Sequence, residues 1–356
     1  MGHKLGRRPT DQGRSLTDVL NKELRIADCG RRIGHIEKGM SLDFAAVRAA
    51  HERIRPHIHR TPVLTSARLD AASGASLFFK CENFQKVGAF KARGATNAVF
   101  LLDETTARRG VATHSSGNHA AALARAATLR GIAAHIVMPS NSSKAKVRAV
   151  EHYGGRLVFC EPTQAAREAT CARVTAETGA TLIHPSEDER VIAGQGTAAV
   201  ELLEDISNLD LLLCPVGGGG LLGGAALAAK SMRPKLAVIA TEPANADDAA
   251  QSFRTGRLVR VEKPDTIADG LRTNIGPTTF ALIQQYVDDV VTVSENAIVA
   301  AMRTIWETMK IIVEPSAAVP YAAILERKIA LGGRRVGIIL TGGNVDLDAL
   351  PWIREN

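Results

Sequence analysis

From Gly110 onward the chain alternates short apolar runs with longer stretches whose apolar residues recur at helical spacing. "GVATHS" has strand length, and "NHAAALARAATLRG" reads as a helix closed by glycine. The same alternation predicts strand "AAHIVMP", helix "SSKAKVRAVEHYGG", strand "RLVFCE", helix "TQAAREATCARVTAETG" and a fourth strand "ATLIHP". Beyond about residue 188 it resumes with helix "GQGTAAVELLEDI", strand "LLLCPV", a glycine loop, another helix and strand "LAVIATEP". Strands alternating with helices predict an α/β protein built on open parallel sheets with helices on both faces. Upstream, "SLDFAAVRAAHERI" predicts a helix with Asp43 near its start. Residues 1–42 are polar, Arg-rich and weakly periodic, and are expected to form a basic, loosely ordered extension.

Three loops stand where predicted strands end: "THSSGNHA" (113–120), "CPVGGGGLLGG" (214–224) and "ILTGGNVD" (339–346). Ligands of open parallel sheets bind beyond the carboxyl ends of the strands, so the three loops predict one shared site. Composition narrows its chemistry. Aromatics make up 4% of the chain, too few for a platform of stacked rings, and no nucleic-acid partner is expected. The net charge is +7, but residues 1–42 hold nine Lys/Arg against five Asp/Glu, so most of the basic balance lies in the leading segment. Five scattered cysteines without a C-x-x-C pair argue against a disulfide framework or zinc site and predict a reducing, cytoplasmic setting. The longest apolar run is broken by glycines and a proline, so no membrane span is expected.

Each loop has a chemical and a plain reading. In "VGGGGLLGG" a strand runs through glycines into a helix, which lets backbone N–H groups converge as a phosphate cradle; a tight turn or dinucleotide loop is the alternative. No P-loop lysine follows, which disfavours nucleoside triphosphate hydrolysis. "SSGNHA" could hold a small carboxylate through backbone and hydroxyl donors, or simply cap a helix with Ser115 or Ser116. In "VGAFKARGATNA" Lys91 sits among small apolar residues, where a desolvated lysine would lose its proton readily and become a nucleophile.

A phosphate cradle, a carboxylate loop and a desolvated lysine are the parts required by pyridoxal 5'-phosphate acting on an amino acid. "GAFKARGA", "SSGNHA", "VGGGG" and "TGGNVD" occur in the order and spacing of the fold type II (β-family) pyridoxal-phosphate enzymes, and residues 43–350 resemble the serine/threonine dehydratase and serine racemase group. That resemblance implies two domains of the tryptophan synthase β type with the cofactor in the cleft between them. Residues 43–108 and 188–356 would form the large cofactor domain and 109–187 the small substrate domain. It implies Lys91 as the Schiff-base lysine and Phe90 as the residue packed on the ring. Asn118 would face the phenolic oxygen and Thr341 the pyridine nitrogen. Gly217, Gly218, Gly219 and Gly220, with the Leu221 amide, would hold the phosphate. Ser115, Ser116, Asn118 and His119 would bind the substrate, with Ser116 in the position of the racemases' second acid/base. "TEPANADDA" resembles a metal segment of the same group, implying Mg²⁺ or Ca²⁺ on Glu242, Asp248 and the Ala246 carbonyl; an acidic helix start is the plain alternative.

The pattern departs from the group in places. Ala89 stands where most relatives have serine, and Ala121 where serine racemase has glutamine near its nucleotide effector, although Lys86 and Tyr153 remain. The chain ends soon after "TGGNVD", so isoleucine feedback through a further domain is not expected. The expected activity is conversion of a β-hydroxy-L-amino acid (serine, threonine or a 3-hydroxy analogue) to a 2-oxo acid and ammonia by a homodimer. An amino-acid racemase is the second reading and β-replacement the third. A nucleotide- or NAD-binding module is the alternative of another class.

Overall fold

The computed structural model describes residues 42–115 and 117–353. The leading extension and Ser116 therefore lie outside the described residues. The described chain begins with α1 (Phe44–Ile54), β1 (Val63–Leu64), α2 (Ala67–Ser73), β2 (Ser76–Cys81), α3 (Lys91–Leu101) and α4 (Glu104–Ala107). The predicted alternation follows as β3 (Val111–His114), α5 (Asn118–Arg130), β4 (Ala134–Pro139), α6 (Lys144–His152), β5 (Arg156–Cys160), α7 (Gln164–Thr178) and β6 (Thr181–Leu182). It continues through α8 (Glu189–Asp205), β7 (Leu211–Pro215), α9 (Gly220–Met232), β8 (Ala237–Pro243) and α10 (Asp248–Thr255). The last elements are α11 (Pro277–Tyr286), β9 (Asp289–Val293), α12 (Glu295–Met309), α13 (Pro315–Leu325) and β10 (Arg335–Leu340).

Local chemistry sets the boundaries. The Asp43 carboxylate accepts from Ala46 N at 2.8 Å and starts α1. Thr163 caps α7 in the same way, and Gly179, in the left-handed region, ends it. Two expectations needed correction. The "ATLIHP" run contributes only two residues of strand, because its remaining residues leave the sheet as a turn in which the His184 ring accepts from Ser186 N and Glu187 N. Helix α8 begins ahead of "GQGTAAVELLEDI", at Glu189, because Asp188 caps it.

Two sheets result. One has six strands in the order β1-β2-β10-β7-β8-β9, parallel apart from the β1–β2 pair. The other has four parallel strands in the order β5-β4-β3-β6. Alternate residues of β7 serve opposite faces: Leu212 and Cys214 pack with α8 and α9, Leu211 and Leu213 with α12 and α13. Helices on both faces bury both sides of the parallel strands, which explains their nearly continuous apolar sequences. Helix α3 approaches α8 at a glycine pair. A Cβ on Gly194 would lie 2.6 Å from Gly94 Cα, so only glycine permits the contact that seats the start of α3.

A buried ionic network locks the same region. Arg93 donates to both Glu82 oxygens at 2.7 and 2.8 Å and to both Glu201 oxygens at 2.8 and 2.7 Å. Its remaining contact is Thr197 Oγ1 at 3.1 Å. Lys80 Nζ adds bonds to Glu201 and the Thr61 carbonyl, both 2.7 Å. Two cations and two carboxylates thus compensate one another inside the protein, tying β2, α3 and α8 together. Among the described residues no helix is long and apolar enough to cross a membrane.

Candidate active site

The three predicted loops converge. Phe90 N donates to the Thr341 carbonyl at 2.9 Å, and Ala89 bridges Gly342, which brings the turn before α3 onto the loop after β10. Asn344 Nδ2 donates to Asn118 Oδ1 and to the Val87 carbonyl, each at 2.8 Å, which adds the loop after β3. The glycine loop joins through the segment after β6. A Cβ on Gly218 would lie 2.6 Å from Ser186 Oγ, and one on Gly220 would meet Ser186 Cα at 3.0 Å.

Lys91 opens α3 at the centre of this cluster. Its Nζ donates to the Pro185 carbonyl at 2.8 Å and lies 5.1 Å from the centre of the Phe90 ring. Burial lowers its pKa to about 8, opposed in part by the Glu314 carboxylate. Arg93, two residues on, has every contact it needs; Lys91 has one carbonyl and no ion-pair partner among the described residues. Desolvation without a matching anion is what favours a free amine.

The loop after β3 resolves the capping alternative for Ser115. Gly117 is the cap residue of α5 and, as a glycine, brings no capping side chain. Ser115 Oγ accepts from Gly117 N at 3.4 Å, outside the helix proper. Among the described residues no side chain accepts from the first N–H groups of α5, the arrangement an anion site uses. His119 is buried, its Nε2 pairs with the Ile183 carbonyl at 3.2 Å, and its Nδ1 has no partner among the described residues. Burial, and then the Lys91 charge, hold its pKa well below the ordinary value, so the ring is neutral.

The glycine loop follows β7 as predicted. Gly219 has φ 79°, in the left-handed region, and a Cβ there would meet Thr279 at 2.7 Å. Thr279 is held by Glu187, whose carboxylate accepts from Thr278 N, Thr279 N and Thr279 Oγ1 at 2.9, 3.2 and 2.7 Å. Thr341 Oγ1 and Ser186 Oγ are buried with no partner among the described residues. A backbone cradle, a lysine with little competition and an orphaned hydroxyl match what a phosphorylated pyridine aldehyde needs from a protein.

Four site residues escaped the sequence reading. Glu314 precedes α13 and accepts Asn118 Nδ2 on both oxygens at 3.1 Å. Burial pushes its carboxyl up to about 7, and the Asn118 contact opposes that rise. Embedded in "IIVEPSAAV", it reads from sequence as the residue before a helix with proline at its first position. His114 and His184 face each other edge to face, ring centres 5.7 Å apart, and burial lowers both pKa values. Ser186 stands two residues beyond His184. The available signal for His184 and Ser186 was position: "HPSED" is itself a loop at the end of a predicted strand.

The metal candidates cluster at the end of β8. Glu242, Ala246 and Asp248 are all buried. Glu242 accepts from Ala249 N and Ala250 N at 3.1 and 2.9 Å, and so caps α10. Asp248 Oδ2 accepts from Ile275 N at 2.8 Å. Burial raises the Glu242 carboxyl well above its ordinary value and Asp248 to about 7, and the charges that add to the rise are neighbouring aspartates.

Fold and site together define an enzyme architecture that holds a phosphorylated cofactor at the carboxyl ends of parallel strands. The family model described as pyridoxal-phosphate dependent enzyme matches residues 54–342. The chain belongs to that family. It is 53% identical over 304 residues to a β-hydroxyaspartate dehydratase of Paracoccus denitrificans, covering 85% of this chain and 96% of the relative. Maize serine racemase superimposes with a TM-score of 0.85 at 48% identity, covering 87% of this chain and 95% of that one. Serine racemase from Dictyostelium discoideum gives 0.82 at 45% identity, covering 86% and 99%. The alternative of a nucleotide- or NAD-binding module gives way to this family membership.

Proposed function

We propose that the chain is a dehydratase that uses pyridoxal phosphate to remove the β-hydroxyl and amine of a β-hydroxy-L-amino acid, yielding a 2-oxo acid and ammonia. The observation that carries the reading is Lys91: an amine with a lowered pKa at the meeting of the glycine loop and the start of α5. The cofactor, when bound, supplies an electron sink that weakens the substrate Cα–H bond. The N–H groups of Gly217 to Leu221 would hold its phosphate, and Phe90 would pack on its ring. Asn118 Nδ2, steadied by Glu314, would hydrogen-bond its phenolic oxygen. The Thr341 hydroxyl, buried and without a partner among the described residues, would meet its ring nitrogen. A neutral hydroxyl there favours elimination over transamination, because it does not hold that nitrogen protonated. Lys91 Nζ takes the Cα proton as general base. Ser115, Ser116, Asn118 and His119, with the open N–H groups of α5, hold the substrate carboxylate.

The side chain of the substrate is read as acidic. The Paracoccus relative is named for β-hydroxyaspartate, and the half-buried Arg167 on α7 has an Nε with no partner among the described residues, its charge reaching His114. A second carboxylate would satisfy that Nε–H. A racemase is the second reading, favoured by the serine at 116 and by the serine racemases among the relatives. A panel assay of 2-oxo acid release and of D-amino acid formation tests both. 3-Hydroxyaspartate should turn over faster than serine or threonine, and Arg167→Met should cost the dicarboxylate roughly tenfold more than serine, the value of one charge-assisted hydrogen bond. Predominant D-serine formation would overturn the dehydratase reading.

Mg²⁺ or Ca²⁺ is assigned to Glu242, Asp248 and the Ala246 carbonyl. Two buried carboxylates whose neighbouring charges are acidic fit a hard divalent cation. No group of three or more His, Cys, Asp or Glu with metal-binding geometry occurs among the described residues, so a carbonyl and waters would complete the shell. The four-stranded sheet is read as the core of the small substrate domain, residues 109–187. A homodimer is favoured by the exposed apolar residues Phe84 and Ile312, which flank the bond from Asn83 Nδ2 to the Ile312 carbonyl. The free thiols of Cys81, Cys160, Cys171 and Cys214 favour a reducing, cytoplasmic setting.

A further inference from the structure

A cleft of about 270 Å³ lies between α1, the connection to β1 and α8, and it shares no residue with the active site described above. His51, Glu52 and Arg55 line it from α1 and its end, Arg60 from the connection, and Glu201 and Glu204 from α8. Its acceptors are already fixed in place. Glu201 is buried, and its three donors from Arg93 and Lys80 use Oε2 twice and Oε1 once, so Oε1 keeps a lone pair. Arg60 binds Glu204 Oε2 at 3.0 Å and Asp205 Oδ1 at 2.6 Å, which leaves Glu204 Oε1 uncommitted among the described residues. His51 is 8% exposed, and its Nδ1 has no hydrogen-bond partner among the described residues. A buried ring nitrogen without a partner forgoes hydrogen bonding that water would have supplied, so its retention calls for an explanation.

The charges around the ring select the ligand. Burial lowers the His51 pKa, which keeps the ring neutral and one of its nitrogens an acceptor. The charges of Glu204, Glu201 and Glu52 oppose that fall, and only Arg93 adds to it, so the wall of the cleft favours a positive group. Arg60 is neutralised by its two carboxylates, and Arg55 is exposed at the rim, where solvent screens it. An anion would face Glu201 and Glu204, and an apolar occupant would strand their open lone pairs.

We propose that this cleft binds a small organic cation with N–H donors, a guanidinium or a protonated amine, through Glu201, Glu204 and His51. Arg93 and Lys80 hold Glu201 and Arg60 holds Glu204 before any ligand arrives, so binding orders little protein. The site is separate from the cofactor cradle, so its test is independent of the dehydratase reading.

The experiment is calorimetric titration of the holoenzyme with methylguanidinium, which, unlike a primary amine, does not readily form an imine with the cofactor aldehyde. Wild type should bind one equivalent. Glu204→Gln should bind roughly tenfold more weakly, the range for one hydrogen bond to a charged group. His51→Phe, which removes both ring nitrogens, should weaken binding to a similar degree; if it fails to fold, Glu204→Gln alone decides. Tetramethylammonium, with the same charge and no N–H, should bind far more weakly, and acetate should not bind. Absence of binding below denaturing concentrations, full affinity in Glu204→Gln, or tetramethylammonium bound as tightly as methylguanidinium would each overturn the assignment. Preferential binding of acetate would overturn it too, by showing an anion site.

Discussion

Lys91 and Arg93 show how two cations two residues apart come to do different work. Arg93 meets two carboxylates through a planar fork and stays charged. Lys91 meets a carbonyl and an aromatic face, and burial brings its pKa to about 8, so a sizeable neutral fraction exists at mildly basic pH. Lys91→Ala should cut turnover by about 10²–10⁴-fold or more, the range for loss of a general base. Borohydride reduction of wild-type holoenzyme and peptide mapping should find the pyridoxyl label on Lys91; a label on any other lysine refutes the assignment. The small apolar neighbours of Lys91 were legible in the sequence. Its electrostatic counterpart Glu314 was not, because a glutamate ahead of a proline-started helix looks like any other helix entry.

At the scale of elements, the seat of α3 depends on the Gly94–Gly194 contact with α8 and on the Arg93 network beside it. Burial alone would raise the Glu201 carboxyl, but hydrogen bonds and charge from Arg93 and Lys80 outweigh it and hold the group at about 2. Glu201→Ala should destabilise the protein by about 3–5 kcal/mol, because it leaves two buried cations short of an anion. The pH dependence has a definite sign. A carboxyl depressed in the folded state stabilises above its unfolded value of about 4.3 and loses that contribution as the pH falls toward about 2. The resistance of wild type to denaturant should therefore weaken between about pH 5 and pH 2, and Glu201→Gln should lack that component of the slope. An unchanged slope in the variant would show that Glu201 is not the titrating group.

At the scale of the whole molecule, the proposed metal position is linked to the glycine loop through Ile275. Asp248 holds Ile275 N, and Ile275 packs 3.3 Å from the Gly219 Cβ position. A cation there would act by fixing the loop, not by touching substrate. Chelation should lower the melting temperature and activity, and Mg²⁺ or Ca²⁺ should restore both. Glu242→Ala should match chelated wild type and ignore added metal. A variant with full activity and a full metal response would place the cation elsewhere. The plain reading of "TEPANADDA", an acidic helix start, fits as well, since Asp248 opens α10 and Glu242 accepts from its first N–H groups; a carboxylate oxygen can accept an N–H and still offer a lone pair to a cation.

The sequence by itself determined the elements, because their signals are local. Apolar period, side-chain caps such as Asp43 and Thr163, and glycines such as Gly131 and Gly179 act within one turn of chain. It also placed three loops at strand ends, since parallel topology follows from the alternation itself. What only the tertiary structure decided was which polar and charged groups meet. Glu314 reaches Asn118 across 196 residues, and Arg93 reaches Glu201 across 108. Whether a buried group is paired or alone, and hence whether it locks the fold or is free to react, depends on partners that chain-local pattern cannot supply.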